Sequence, residues 1–135
     1  MQKPVQEVIS LLFSDQPGII ADWAIKRLGL EESWRASNDD GAVEHVELRW
    51  AQSRISINAT REGQEITGKT SLGLRLDDDA SVKALYQRAI EFGAEIRMAL
   101  TESKVALSFT LADPDGNEWW VNAETGFLDQ LREAK

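Results

Sequence analysis

Phe109-Thr110-Leu111-Ala112-Asp113-Pro114-Asp115-Gly116-Asn117-Glu118-Trp119-Trp120-Val121 joins one alternating segment to another through five turn-forming residues. Pro114 presets φ for a turn, Gly116 tolerates positive φ, and Asp113 and Asn117 can hydrogen-bond nearby backbone. The stretch therefore reads as a β-hairpin near the end of the chain.

Working back from this hairpin, Thr70 to Leu76 alternates as a strand and Asp77-Asp78-Asp79 follows, carboxylates suited to a helix N-terminus. Val82, Leu85, Tyr86, Ala89, Ile90 and Phe92 recur at helical spacing up to Gly93, a stop signal. Strands are expected near 94–99, 105–112 and 118–122, and a short helix over 126–133. The second half thus reads βαβββ.

The same order occurs earlier in the chain. Residues 5–14 alternate as a strand closed by Asp15, and a helix runs from Pro17 to Leu28 on Ile20, Trp23, Ile25 and Leu28, with Gly29 after it. Residues 31–36 form a weaker strand, Ser37 to Gly41 a polar turn, and 43–50 and 54–58 two further strands. Leu28-Gly29-Leu30-Glu31 in the first half answers Phe92-Gly93-Ala94-Glu95 in the second, so punctuation repeats along with element order. The expectation is an α+β fold of two tandem βαβββ modules, about 5–59 and 70–123, separated by a linker over 60–69. They would form one domain with a cupped mixed sheet and helices outside.

The polar sides of the strands locate a candidate site. His45, Glu47 and Arg49 oppose Val46, Leu48 and Trp50, while Arg54, Ser56 and Asn58 oppose Ile55 and Ile57. Ser71, Gly73 and Arg75 oppose Leu72, Leu74 and Leu76, and Ser108 and Thr110 oppose Leu107, Phe109 and Leu111. In the first strand the same rule sets Ser10 and Ser14 against Ile9, Leu11 and Phe13. A curled sheet would gather the polar sides into a concave pocket, the usual setting for a small molecule.

Composition narrows the partners. The chain of 135 residues carries 23 acidic and 15 basic side chains, a formal charge of −8 that repels nucleic acid and anionic lipid. No apolar run reaches membrane-spanning length, and the first residues lack a signal-peptide layout, so a cytoplasmic protein without a membrane partner is expected. There is no cysteine, which excludes disulfides and thiolate metal sites. No Ser-His-Asp triad, phosphate loop or nucleotide fingerprint is present.

The paired modules, the Ser14-Asp15 and Leu28-Gly29 signals, and Asp113-Pro114-Asp115-Gly116-Asn117 after a strand resemble the glyoxalase/bleomycin-resistance/extradiol-dioxygenase (vicinal oxygen chelate) superfamily over about residues 5–123. The resemblance implies a cupped sheet and assembly as a homodimer. It also implies four strand positions that carry His or Glu in the metal-dependent members, where a divalent ion polarises substrate oxygens. Here those positions fall at Val8, Glu47, Ser71 and Trp120, and only Glu47 can ligate. A lone carboxylate does not hold a divalent ion against water, so no metal and no cofactor are expected.

Two alternatives stay open for the remaining polar residues. Glu47 could serve as a general base or simply pair with Arg49 or Arg75, and His45 could hydrogen-bond or supply a ligand nitrogen. Among the five tryptophans, Trp23, Trp50 and Trp119 fall on core positions, Trp120 points to the polar side where an indole could stack on a flat ligand, and Trp34 belongs to a rim or an interface. The expected ligand-binding set is Ser10, His45, Glu47, Arg49, Ser56, Ser71, Arg75, Ser108 and Trp120, around a small polar, aromatic or cationic molecule. Drug sequestration needs only shape, stacking and hydrogen bonds. A lyase, isomerase or dioxygenase using Glu47 is the alternative.

Overall fold

Strand alternation and helix punctuation act separately in two compact units, residues 1–67 and 68–135, of a computed structural model that describes residues 7–64 and 69–134. The beginning of the segment expected over 5–14 and part of the linker expected over 60–69 therefore lie outside the described residues. In the first unit the elements are β1 (Ser10–Ser14), α1 (Pro17–Trp23), β2 (Glu31–Ser37), β3 (Val43–Trp50) and β4 (Ser53–Ala59). The second holds β5 (Ser71–Arg75), α2 (Asp79–Glu91), β6 (Glu95–Glu102), β7 (Ala106–Ala112), β8 (Glu118–Glu124) and α3 (Gly126–Glu133).

Each unit builds a four-stranded mixed sheet, in the order β1-β4-β3-β2 in one and β5-β8-β7-β6 in the other. β1 pairs with β4, and β5 with β8, in parallel; the remaining pairs are antiparallel. The protein is thus α+β, with two mixed sheets and helices on their outer sides.

Pro17 opens α1, where its missing N–H costs no helical bond. The helix runs on into a wide π turn over Ala24–Leu28 and stops at Gly29, whose φ of 83° lies in the left-handed region. α2 begins on Asp78, whose Oδ1 accepts from the Ser81 N–H at 2.8 Å, and is followed by Gly93 at φ 78°. The small residues Ala21 and Ala24 are buried along with Ile20 and Leu28, whereas Trp23 and Ile25 are only half-buried. In α2 the buried stripe is Val82, Leu85 and Ala89, and Ile90 faces solvent.

One strand departs from the expected phase. Leu12 and Ser14 are the buried residues of β1, while Leu11 is half-exposed and Phe13 lies on the opposite side. Register gives the reason: Leu12 pairs with buried Ile57, and Phe13 pairs with Asn58 on the polar side of β4. Ser14 faces inward because its Oγ accepts from the Gln16 N–H at 2.9 Å, at the entry to α1. Ser10, exposed at the start of β1, has the same strand parity as Leu12 and pairs with Ile55, so its expected place on the polar face is corrected.

The quoted hairpin is more than a turn. Asp113, 6% exposed, accepts through Oδ1 from the N–H groups of Asp115 and Asn117 at 2.9 and 3.0 Å, and through Oδ2 from Trp119 Nε1 at 3.0 Å. Asn117 Nδ2 donates to the same carboxylate at 3.0 Å, and Asn117 Oδ1 accepts from the Thr70 N–H at 3.0 Å. Because Thr70 immediately precedes β5, the turn between β7 and β8 also fixes the edge strand of the sheet. The motif is therefore structural, filling every valence of a buried carboxylate that would be costly if left unpaired.

Candidate functional site

The side of the first sheet opposite α1 carries two polar clusters, because period-two alternation places His45, Glu47 and Arg49 beside Arg54, Ser56 and Asn58. In the first cluster the Glu47 carboxylate, almost wholly buried, accepts from Arg54 Nη1 at 3.0 Å. The same guanidinium reaches Glu7, with Nε 3.3 Å from Oε2. Arg54 thus sits between two carboxylates. Trp34, half-exposed on β2, is the cross-strand neighbour of Glu47.

In the second cluster Asn58, 9% exposed, donates from Nδ2 to the carbonyls of Ser56 at 3.1 Å and Leu12 at 3.4 Å. Its Oδ1 faces the Ser56 hydroxyl at 3.1 Å and His45 Nδ1 at 2.8 Å. His45 and Asn58 line a hollow of about 560 Å³ together with Leu11, Phe13 and the loop Arg61-Glu62-Gly63-Gln64. Its wall is part apolar and part hydrogen-bonding, at a size that suits a small organic molecule.

The sequence expectations distribute unevenly over these features. His45 lines the hollow, Ser56 supports it through Asn58, and Glu47 belongs to the neighbouring ion-pair cluster. Arg49 is exposed at the end of the row and pairs in register with Arg54. Neither anticipated arginine holds Glu47: that role falls to Arg54, and Arg75 lies 3.1 Å from Glu124 in the second unit. Glu124 is also bound by Arg132 at 2.9 Å, which holds its carboxyl below the ordinary range.

On the second sheet, Ser71 and Arg75 of β5 are exposed, Ser108 is half-buried, and Trp120 is 39% exposed between Gly73 and Thr110. Asn58, Leu11 and Phe13 were missed as site residues. Asn58 closes the strand expected over 54–58 and is next to last in β4, so its signal in the sequence was only its place on the polar side with Arg54 and Ser56.

Among the described residues, no three His, Asp or Glu side chains gather as a metal-holding group. Val8 precedes β1 and is exposed, Ser71 and Trp120 offer no strong ligand atom, and Glu47 Oε1 already faces a guanidinium. These residues do not fit the divalent ion implied by the resemblance.

A family model for the glyoxalase/bleomycin resistance protein/dioxygenase superfamily matches residues 12–121. The chain belongs to that superfamily. No curated protein matches its sequence. Solved structures of the glyoxalase type share the fold: TioX from Micromonospora sp. ML1 aligns with a TM-score of 0.74 at 16% identity, covering 90% of this chain and 100% of that one. Lactoylglutathione lyase from Agrobacterium tumefaciens aligns at 0.69 and 16% identity, covering 90% and 96%. A glyoxalase/bleomycin resistance protein/dioxygenase family enzyme from Burkholderia phytofirmans PsJN aligns at 0.68 and 20% identity, covering 87% and 97%. At such identities the likeness is one of fold, and function must be argued from the site. Among the described residues no helix is long and apolar enough to cross a membrane.

Proposed function

We propose that this superfamily member binds a small aromatic molecule with polar or cationic character in the hollow of its first module, without a metal. The observation that carries this reading is the hollow of about 560 Å³ walled by Leu11 and Phe13 on one strand and by His45 and Asn58 on two others. Apolar side chains supply contact area, and a few placed polar atoms fix orientation. The formal charge of −8 favours a cation over an anion at long range.

Sequestration requires nothing further of the site. A reaction catalysed by Glu47 is less well supported, because its carboxylate is engaged with Arg54 and Glu47 is not among the residues around the hollow. Ser71, Arg75, Ser108 and Trp120, with the polar side of the second sheet, remain part of the proposal as a second binding surface, as does assembly into a homodimer.

The test is a tryptophan-fluorescence titration of purified protein with aromatic amines and phenols, with and without a chelator, alongside elemental analysis. Saturable binding that survives chelation is the expected result. Stoichiometric transition metal, or affinity abolished by chelation, overturns the metal-free reading. A panel without any saturable member overturns the binding role.

A further inference from the structure

We infer that Asn58 holds His45 as the Nδ1–H tautomer, so that Nε2 becomes the hydrogen-bond acceptor of the hollow and selects aromatic ligands that carry an O–H or N–H donor. The inference rests on the hollow being a ligand site, as proposed above, and adds the class of ligand it takes.

The argument begins with the Asn58 amide. Its Nδ2 lies 3.4 Å from the Leu12 carbonyl and 3.1 Å from the Ser56 carbonyl. Carbonyl oxygens only accept, so the nitrogen must be on that side and Oδ1 on the other. Oδ1 then faces His45 Nδ1 at 2.8 Å. An amide oxygen has no hydrogen to give, and the contact is a hydrogen bond only if Nδ1 carries the proton. In a neutral imidazole the second nitrogen is then an unprotonated acceptor.

Burial makes this arrangement firm. Asn58 is 9% exposed and takes a further hydrogen bond from the Ser56 hydroxyl at 3.1 Å, whereas turning the amide over would set its oxygen against the Ser56 and Leu12 carbonyl oxygens, acceptor against acceptor. Nδ1 is committed to β4, which leaves Nε2 as the ring atom available to an occupant of the hollow. Leu11 and Phe13 on β1 provide the apolar wall against which an aromatic ring can lie. A ligand donor meeting Nε2 gains a bond, whereas an ether oxygen of the same shape meets lone pair against lone pair.

His45 is the only histidine in the chain, so its ring signals need no assignment. Nitrogen–proton NMR of the full-length protein at about pH 9, where an ordinary imidazole is neutral, should show the proton on Nδ1. Ser56→Ala should keep that pattern, and Asn58→Ala should lose it. Addition of 2-naphthol should shift the His45 ring signals with an affinity roughly tenfold above that of 2-methoxynaphthalene. His45→Phe, followed by naphthol fluorescence, should remove the preference.

A wild-type ring protonated on Nε2 overturns the inference without need of any variant. Equal binding of naphthol and its methyl ether also overturns it, while leaving the hollow as a ligand site. If neither compound moves the His45 signals, the ligand-site reading falls and the acceptor role falls with it.

Discussion

The two modules share strand order, parallel pairing and a glycine after the helix between their first two strands, yet they use their polar side chains for different ends. In the second, a buried polar network lies under the turn between β7 and β8, where Asp113 gathers donors from the turn and from Trp119. In the first, the matching turn between β3 and β4 has no such carboxylate, and Ala51 adopts a φ of 54°. Apart from Ser14 at the entry to α1, the buried polar side chains described there, Glu47 and Asn58, lie instead on the open side of the sheet. A duplicated fold can thus use one copy's polar groups to close a turn and leave the other's beside a hollow.

The sharpest way to break this comparison is to remove the staple. Asp113→Ala removes the carboxylate that accepts from Trp119 Nε1 and the Asn117 N–H, both at almost wholly buried residues, and from the N–H of half-buried Asp115. Unsatisfied buried donors of this kind cost about 1–3 kcal/mol apiece, so a loss of about 3–5 kcal/mol is expected in urea unfolding. Asp113→Asn, which keeps one oxygen, should cost less. A loss below about 1 kcal/mol for alanine, within the range of ordinary surface substitutions, would return the turn to the status of a plain hairpin.

The next effect belongs to the first module. Arg54→Ala leaves Glu47, whose side chain is 10% exposed, without its cation. Removing one partner of a buried pair is strongly destabilising, but Arg54 is itself a third exposed and solvent screens part of the loss, so about 1–3 kcal/mol is expected. Adding Glu47→Gln should recover a good part of it. A double variant as unstable as the single one would show that Arg54 acts through packing instead of charge.

Much of this architecture was legible because alternation and punctuation are local. Val46, Leu48 and Trp50, or Leu107, Phe109 and Leu111, each stand against polar neighbours, and their phase follows directly. β1 was misread because Leu11, Leu12 and Phe13 are consecutive apolar residues, a run with no period of its own. Its phase is set by pairing with β4 and by the bond from Gln16 to Ser14, which make a serine inward and two large apolar residues outward. That reversal hid the apolar wall of the hollow. The partner of Glu47 was equally non-local, because register brings Arg49 and Arg54 opposite each other and rotamers decide which one reaches the carboxylate. The Asp113 motif was recognised as a turn, but its tie to Thr70 crosses the whole module and leaves no mark on the motif.

A smaller effect of opposite sign sharpens the contrast between the hairpins. Left-handed backbone costs an L residue about 1–2 kcal/mol, and glycine returns about 0.5–1 kcal/mol of that through its freer unfolded chain. Ala51→Gly should therefore stabilise the protein by about 0.5–1 kcal/mol, read as a higher urea midpoint. A destabilised variant would mean that the Ala51 side chain contributes packing worth more than its backbone strain.

The smallest effect separates the helices by pH. Asp78 caps α2, and its bonds with Ser81, through the hydroxyl and then the N–H, lower its pKa, while α1 begins at Gln16 with no side-chain cap. A carboxyl lowered in the folded state stabilises once pH exceeds its unfolded value, near about 3.9, and that contribution is lost as pH falls through the still lower folded value. Asp78→Asn keeps an acceptor for the Ser81 N–H but cannot titrate. Amide-exchange protection in the first turn of α2 should accordingly exceed that of the variant at neutral pH and converge with it in acid, while α1 shows no difference at either pH. A gap that persists unchanged into acid would assign the cap to hydrogen-bond geometry alone and remove charge from the comparison.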